Sequence, residues 1–186
     1  MRNFTELDMY LFGQATNDDL FRKMGAHPAT ADGQKGVFFD VWAPHAASVA
    51  VVGEFNGWNE GANVMERLSP TEMGIYETFI PGAKQGQLYK YLIITPDGRK
   101  LYKADPFATT SEVRPETASR IYDISGFKWS DSTWLKKREA GGDTFWEQPM
   151  AIYECHLASW FKVDREEKDG CLTYVEAAKE LSEYCD

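Results

Sequence analysis

Cysteine is scarce in this sequence, with three in 186 residues. That count excludes a small disulfide scaffold. Cys155 falls in a predicted strand, Cys171 in a loop and Cys185 in a helix. Cys155 and His156 are strand neighbours that point to opposite faces, and the spacing fits no zinc pattern. No metal and no cofactor is expected. Positive charge is also in short supply, since 20 Lys and Arg stand against 29 Asp and Glu for a net charge of −9. A nucleic-acid surface needs clustered cations, so this balance favours an uncharged partner. No apolar run approaches the ~18 residues of a membrane helix. The opening Met1-Arg2-Asn3-Phe4-Thr5-Glu6 has no apolar signal-peptide core. A cytoplasmic location is expected. Low-complexity tracts are absent too, and 43% hydrophobic with 14% aromatic residues is enough for a packed core.

What is present changes character along the chain. Residues 1–30 read as helical. Glu6 to Phe12 stops at Gly13, and Asn17 is placed to cap Asp18 to Met24, with Gly25 as the stop. From Gly36 the period becomes two, through Val37, Phe39 and Val41, then Val49 and Val51, then Ile75, Glu77 and Phe79. Gly and Pro loops separate further strands at Leu88 to Ile94, Arg99 to Tyr102 and Arg120 to Ile124. The pattern predicts a mainly β fold, an immunoglobulin-like antiparallel β-sandwich over 31–125. Residues 126–149, with the charged, glycine-bearing Lys136 to Asp143, read as a linker. Met150 to Leu157 reads as a strand and Lys162 to Asp169 as a loop. Thr173 and Glu176 have the spacing of a capping box, and they open a helix with an apolar stripe at Tyr174, Ala177, Ala178, Leu181 and Cys185. Residues 150–186 thus read as one incomplete βα unit, which cannot bury both faces of its strand.

The turn Gly53-Glu54-Phe55-Asn56-Gly57-Trp58-Asn59 stands out. An indole near the tip of a Gly/Asn turn offers a flat apolar face to a flat ligand. The bland alternative is an indole that caps the core. Lys90, between Tyr89 and Tyr91 on a strand, faces away from both. Trp42, Phe79 and Tyr91 read as core, and His27 and His45 as turn or surface residues. Glu154 and His156 have no partner site that would make them catalytic.

These motifs taken in order resemble bacterial glycogen branching enzymes. They run from Tyr10-Leu11-Phe12-Gly13 and Gly25-Ala26-His27-Pro28 through Val41-Trp42-Ala43-Pro44 and Val52 to Trp58. They continue through Leu88-Tyr89-Lys90-Tyr91, Lys103-Ala104-Asp105-Pro106-Phe107 and Trp129-Ser130-Asp131, to the stretch Ile152 to Trp160. The resemblance implies a family 48 carbohydrate-binding module, a linker, and the first strand and helix of an α-amylase-type (β/α)8 barrel. It implies α-1,4-glucan or glycogen as partner, together with the remaining catalytic barrel of the same polypeptide. In that family the full enzyme cuts an α-1,4-glucan chain and transfers it to a 6-hydroxyl by a retaining, two-carboxylate mechanism. Those carboxylates lie on later barrel strands, so no catalytic residue is expected in this chain. The resemblance gives Trp58 as a sugar platform and Lys90 as a hydrogen-bond donor, with Thr117 and Ser119 as small polar contacts. Relatives outside the branching enzymes often carry a second platform Trp after the Asp97-Gly98 turn. Here Arg99, Lys100, Leu101 and Tyr102 follow. Two other roles stay open, a module that orients the barrel without touching sugar and a protein-interaction module.

Overall fold

The computed structural model describes residues 2–185, apart from the side chains of residues 143, 145, 146, 167 and 168. The chain divides into two units, Met1–Lys128 and Trp129–Asp186.

The first unit is a sandwich of two antiparallel sheets. Strands β1 (Gly25–Ala31), β2 (Gln34–Trp42), β5 (Ile75–Pro81) and β4 (Glu66–Arg67) form one sheet in the order β1-β2-β5-β4. In the other the order is β3-β6-β9-β8, made by β3 (Ser48–Gly53), β6 (Leu88–Ile94), β9 (Ser119–Arg120) and β8 (Thr110–Ser111). Strand β7 (Lys100–Lys103) also pairs with β6. The core between the sheets holds Val37, Phe39 and Val41 of β2, Val49 and Val51 of β3, and Tyr89 and Tyr91 of β6. Two buried tyrosines still need partners for their hydroxyls. Tyr91 donates to the Asp40 carbonyl at 3.1 Å and Tyr89 to the Asp105 carboxyl at 2.5 Å.

Helix α1 (Glu6–Gly13) starts at Thr5, whose hydroxyl and Asp8 form a reciprocal capping box. The predicted second helix is not there. Residues 18–24 form only a three-residue 3-10 turn, Leu20–Arg22, and Gly25 opens β1 instead of ending a helix. The reason is the tight turn at Asp32 and Gly33, where φ is 49° and 77°. Two consecutive left-handed residues make a two-residue hairpin loop, and it pairs Ala31 with Gln34 and Gly25 with Asp40. Strand β1 is an edge strand, which is why it tolerates Pro28.

The N-terminal segment covers the outer face of the first sheet. Phe4, Met9 and Met24 form a second buried cluster with Leu68 and Ile75. This makes β2 buried on both faces, from Gly36 to Val41. Trp42 is a correction. Instead of sitting in the core it is 57% exposed, with its Nε1 donating to the Met73 carbonyl at 2.8 Å and its ring edge-on to Phe12. Phe79 is half-buried against Phe38, while Tyr91 is fully buried.

The second unit carries α2 (Ser132–Gly141), within the stretch read as linker, then α3 (Leu157–Trp160) and α4 (Tyr174–Cys185). The expected strand over Met150 to Leu157 is absent, because residues 151–156 have no ladder partner among the described residues and a strand exists only by pairing. Tyr153, Trp160 and Tyr184 instead form a ring cluster, with the Trp160 Nε1 donating to the Tyr153 hydroxyl at 2.7 Å. The capping box at Thr173 and Glu176 is formed. Arg165 grips the Glu176 carboxylate at 2.9 and 3.0 Å and, with the Thr173 bonds, holds its pKa at about 2. Of the predicted apolar stripe on α4 only Ala177 is buried.

Candidate functional site

The outer face of the second sheet gathers the residues singled out in the sequence. Tyr89 and Tyr91 point into the core, so alternation puts Lys90 outside. Its cross-strand partner is Val52, and in the next row Ala50, Leu92 and Tyr102 stand abreast on β3, β6 and β7. Ala50, Val52 and Leu92 are buried and form an apolar floor. The Lys90 Nζ donates to the Thr117 hydroxyl at 2.8 Å.

Trp58 stands at the end of β3. Its amide donates to the Gly53 carbonyl at 2.9 Å, next to Val52 and so beside the Lys90 row. The loop is built by asparagine. Asn56 accepts from the Gly53 amide at 3.0 Å and donates to the Val51 carbonyl at 2.9 Å and to Asn63 at 2.7 Å. Asn63 and Met65 then pair along the free edge of β3. This bracing forces Gly57 and Trp58 into left-handed backbone, at φ 62° and 60°. Glycine adopts that conformation freely, whereas a bulky residue is strained there. The outcome is an indole 41% exposed on a rigid turn.

Two residues further on, Glu60 reaches the same face and bonds both Lys100 and the hydroxyl of Tyr102. The hydrogen bond from Lys100, then that from Tyr102, holds the Glu60 carboxyl below its usual range. The same contact raises the Tyr102 phenol and the Lys100 ammonium. Tyr102 is therefore fixed by its tip, with its ring 48% exposed.

Trp58, Lys90 and Thr117 thus lie toward one face. Ser119 does not. It is fully buried on β9, and its hydroxyl accepts the Asp105 amide at 2.8 Å. Its pairing with Tyr89 explains this, since Tyr89 points into the core. Asp105, in the Asp-Pro turn, also accepts the Phe107 amide, and burial pushes its carboxyl up. Sequence reasoning missed Glu60, and the bracing by Asn56 and Asn63. The signal was three asparagines, Asn56, Asn59 and Asn63, within one short loop.

Among the described residues no group of His, Cys, Asp and Glu could hold a metal ion, and no helix is long and apolar enough to cross a membrane. The three cysteines are free thiols.

Comparison with known proteins follows the same lines. Residues 23–108 match the family described as carbohydrate-binding module 48 (isoamylase N-terminal domain). The 1,4-alpha-glucan branching enzyme GlgB of Butyrivibrio fibrisolvens is 52% identical over 97% of this chain and 28% of its own length. The GlgB enzymes of Halothermothrix orenii, at 45% over 97% of the chain and 28% of theirs, and Protochlamydia amoebophila, at 43% over 98% and 24%, are similar. The chain spans about a quarter of the length of these curated relatives. Residues 23–108 belong to the carbohydrate-binding module 48 family, and the chain as a whole is homologous to the N-terminal part of 1,4-alpha-glucan branching enzymes.

Proposed function

We propose that this chain binds α-1,4-glucan, glycogen included, on the outer face of its second sheet. The observation that carries the reading is Trp58, a large aromatic held in strained left-handed backbone by its own loop and left half-exposed. Strain at a bulky residue that surrounding bonds over-determine marks a functional position. The indole stacks on the apolar face of a glucose ring, and the Lys90 and Thr117 pair hydrogen-bonds the hydroxyls at its rim. Tyr102 supplies the second ring surface where a second Trp is missing. Ser119 takes no part in contact, because it is committed to Asp105 inside the sheet.

In this reading the branching reaction belongs to an α-amylase-type barrel in the same polypeptide, in a cytoplasmic pathway of glycogen synthesis. The binding face holds glucan near that barrel. None of the acidic residues of the chain is given a catalytic role, and the chain alone leaves the iodine spectrum of amylose unchanged. Migration in a native gel containing glycogen is the direct test. The chain is retarded and Trp58→Ala is retarded clearly less. Equal retardation of the two would reject the site. A second observation favours a module that only orients the barrel, namely that Arg99, Lys100 and Leu101 follow the Asp97-Gly98 turn where the resemblance implies a second Trp in relatives outside the branching enzymes. No retardation of either protein would decide for that alternative.

A further inference from the structure

The first unit has a concave feature apart from the Trp58 face. A cavity of about 390 Å³ opens between the start of β1 and the chain after β7, lined among others by Phe21, Arg22, His27, Phe107, Tyr122 and Asp123. That volume lies in the range of small-ligand sites. Three of these residues, Phe21, Phe107 and Tyr122, are large rings left partly exposed. Clustered exposed aromatics around a hollow mark a place where something apolar on at least one face is held.

The polar groups among the rings are of both kinds. Arg22 offers donors. Its guanidinium lies 5.4 Å from the centre of the Phe21 ring and is anchored by Asp19 at 2.9 Å. The His27 Nε2 is 2.9 Å from the Met24 carbonyl, which can only accept, so this nitrogen carries the hydrogen and Nδ1 is an acceptor in the neutral ring. Asp123 is a carboxylate acceptor, held ionised by the Ser125 amide. The walls are fixed to each other, since the Thr109 hydroxyl donates to the Tyr122 carbonyl at 3.0 Å. An anion would meet Asp123, and a purely apolar ligand would strand the polar groups. A ring whose hydroxyls each donate and accept, and whose C–H face is apolar, satisfies both sets.

We propose that this cavity is a second carbohydrate site, which takes a terminal glucose unit of an α-glucan. A walled hollow admits a ring end-on, whereas the open Trp58 face takes the flank of a chain. The two sites have no residue in common, so each can fail without the other. Two different modes on one domain also raise apparent affinity for a branched polymer, which is rich in ends.

The test is amide-shift mapping of the 186-residue chain with maltose and, separately, with β-cyclodextrin, which has no chain end. Maltose should move amides at 21–28, 107–109 and 120–125 in a saturable way, and Trp58→Ala should leave those shifts in place. Tyr122→Ala and Arg22→Met should weaken them tenfold or more while the 56–60 shifts remain. β-Cyclodextrin should move only the Trp58 region. Maltose shifts confined to the Trp58 region, or none at all, would overturn the proposal. Equal response of the cavity to β-cyclodextrin would overturn its end-on character. Loss of folding in Tyr122→Ala leaves the decision with Arg22→Met, whose side chain is largely exposed, and with the wild-type map.

Discussion

Trp58 lets two costs be separated at a single residue. A non-glycine side chain in the left-handed region costs roughly 1–2 kcal/mol. A stacked aromatic contact is worth about 1 kcal/mol. Trp58→Ala keeps the backbone cost and loses the ring. Trp58→Gly loses both, and glycine relieves the strain at a small entropic expense in the unfolded chain. Both variants should therefore lose glucan contact at the Trp58 face, with the glycine variant the more stable of the two by about 1 kcal/mol. Urea unfolding of the pair measures that difference. An alanine variant as stable as the glycine variant would mean that Trp58 carries no strain for the site to use. Lys90→Met is the complementary case. It removes one charge and its bond to Thr117 from a half-buried position on the outer face, so glucan affinity falls while the unfolding midpoint stays.

At the scale of elements, the N-terminal segment and the first sheet are joined through acid groups. Asp40 and Glu77 are register partners on β2 and β5, and both are buried. Asn3 donates its side-chain amide to Asp40 at 2.7 Å, and the Asn3 and Phe4 amides both donate to Glu77. Lys23 closes the cluster by bonding the Asn3 carbonyl and Asp8. Burial, then the neighbouring Glu77, pushes the Asp40 carboxyl well above its usual range. A raised folded-state pKa binds a proton more tightly in the native state than in the unfolded one. The stability Asp40 contributes is therefore complete below its unfolded value of about 3.9 and is lost as pH rises through the folded value. Asp40→Asn keeps a neutral group there at every pH. Its urea midpoint should exceed the wild type's at pH 7 and converge with it toward pH 4. A variant less stable than wild type at pH 7 would show that the ionised pair is needed.

The same elements show how far the sequence could be read. The strands β2, β3, β5 and β6 were legible because one face of each fills the core with Val, Phe, Tyr or Ile at period two. Strand β1 was not, although Asp32-Gly33 is a strong hairpin signal. Gly25-Ala-His-Pro-Ala-Thr-Ala has no large apolar residue to set a period, and Asp18-Asp19 followed by Leu20-Phe21 imitates a helix start. Trp42 looked like core because its alternation phase is ambiguous in a strand buried on both faces. In the site, Trp58 was legible from its turn and Lys90 from its flanking tyrosines. Glu60 was not, because its contact with Tyr102 joins a loop to strand β7, far apart in the chain. Ser119 was given by the resemblance alone, and its pairing with the core-facing Tyr89 turns it inward on β9.

For the whole molecule, the decisive question is how tightly the first unit alone holds glucan. All three buried clusters of the first unit, and every residue of the proposed face, lie within 1–128. A chain ending at Lys128 should therefore fold and bind as the 186-residue chain does. One stacked ring supplies about 1 kcal/mol and each hydroxyl bond about as much net. Those few terms point to dissociation constants nearer ~1 mM than ~1 μM for short maltooligosaccharides. Glycogen presents many overlapping sites, so its apparent affinity rises without any new contact. The ligand is uncharged, so salt should have little effect despite the net charge of −9. Amide shifts of the 1–128 chain titrated with maltoheptaose, at low and high salt, measure all of this at once. Equal millimolar curves for both chain lengths are expected. Binding that needs residues beyond 128, or that weakens steeply with salt, would move the site away from the neutral aromatic face built around Trp58.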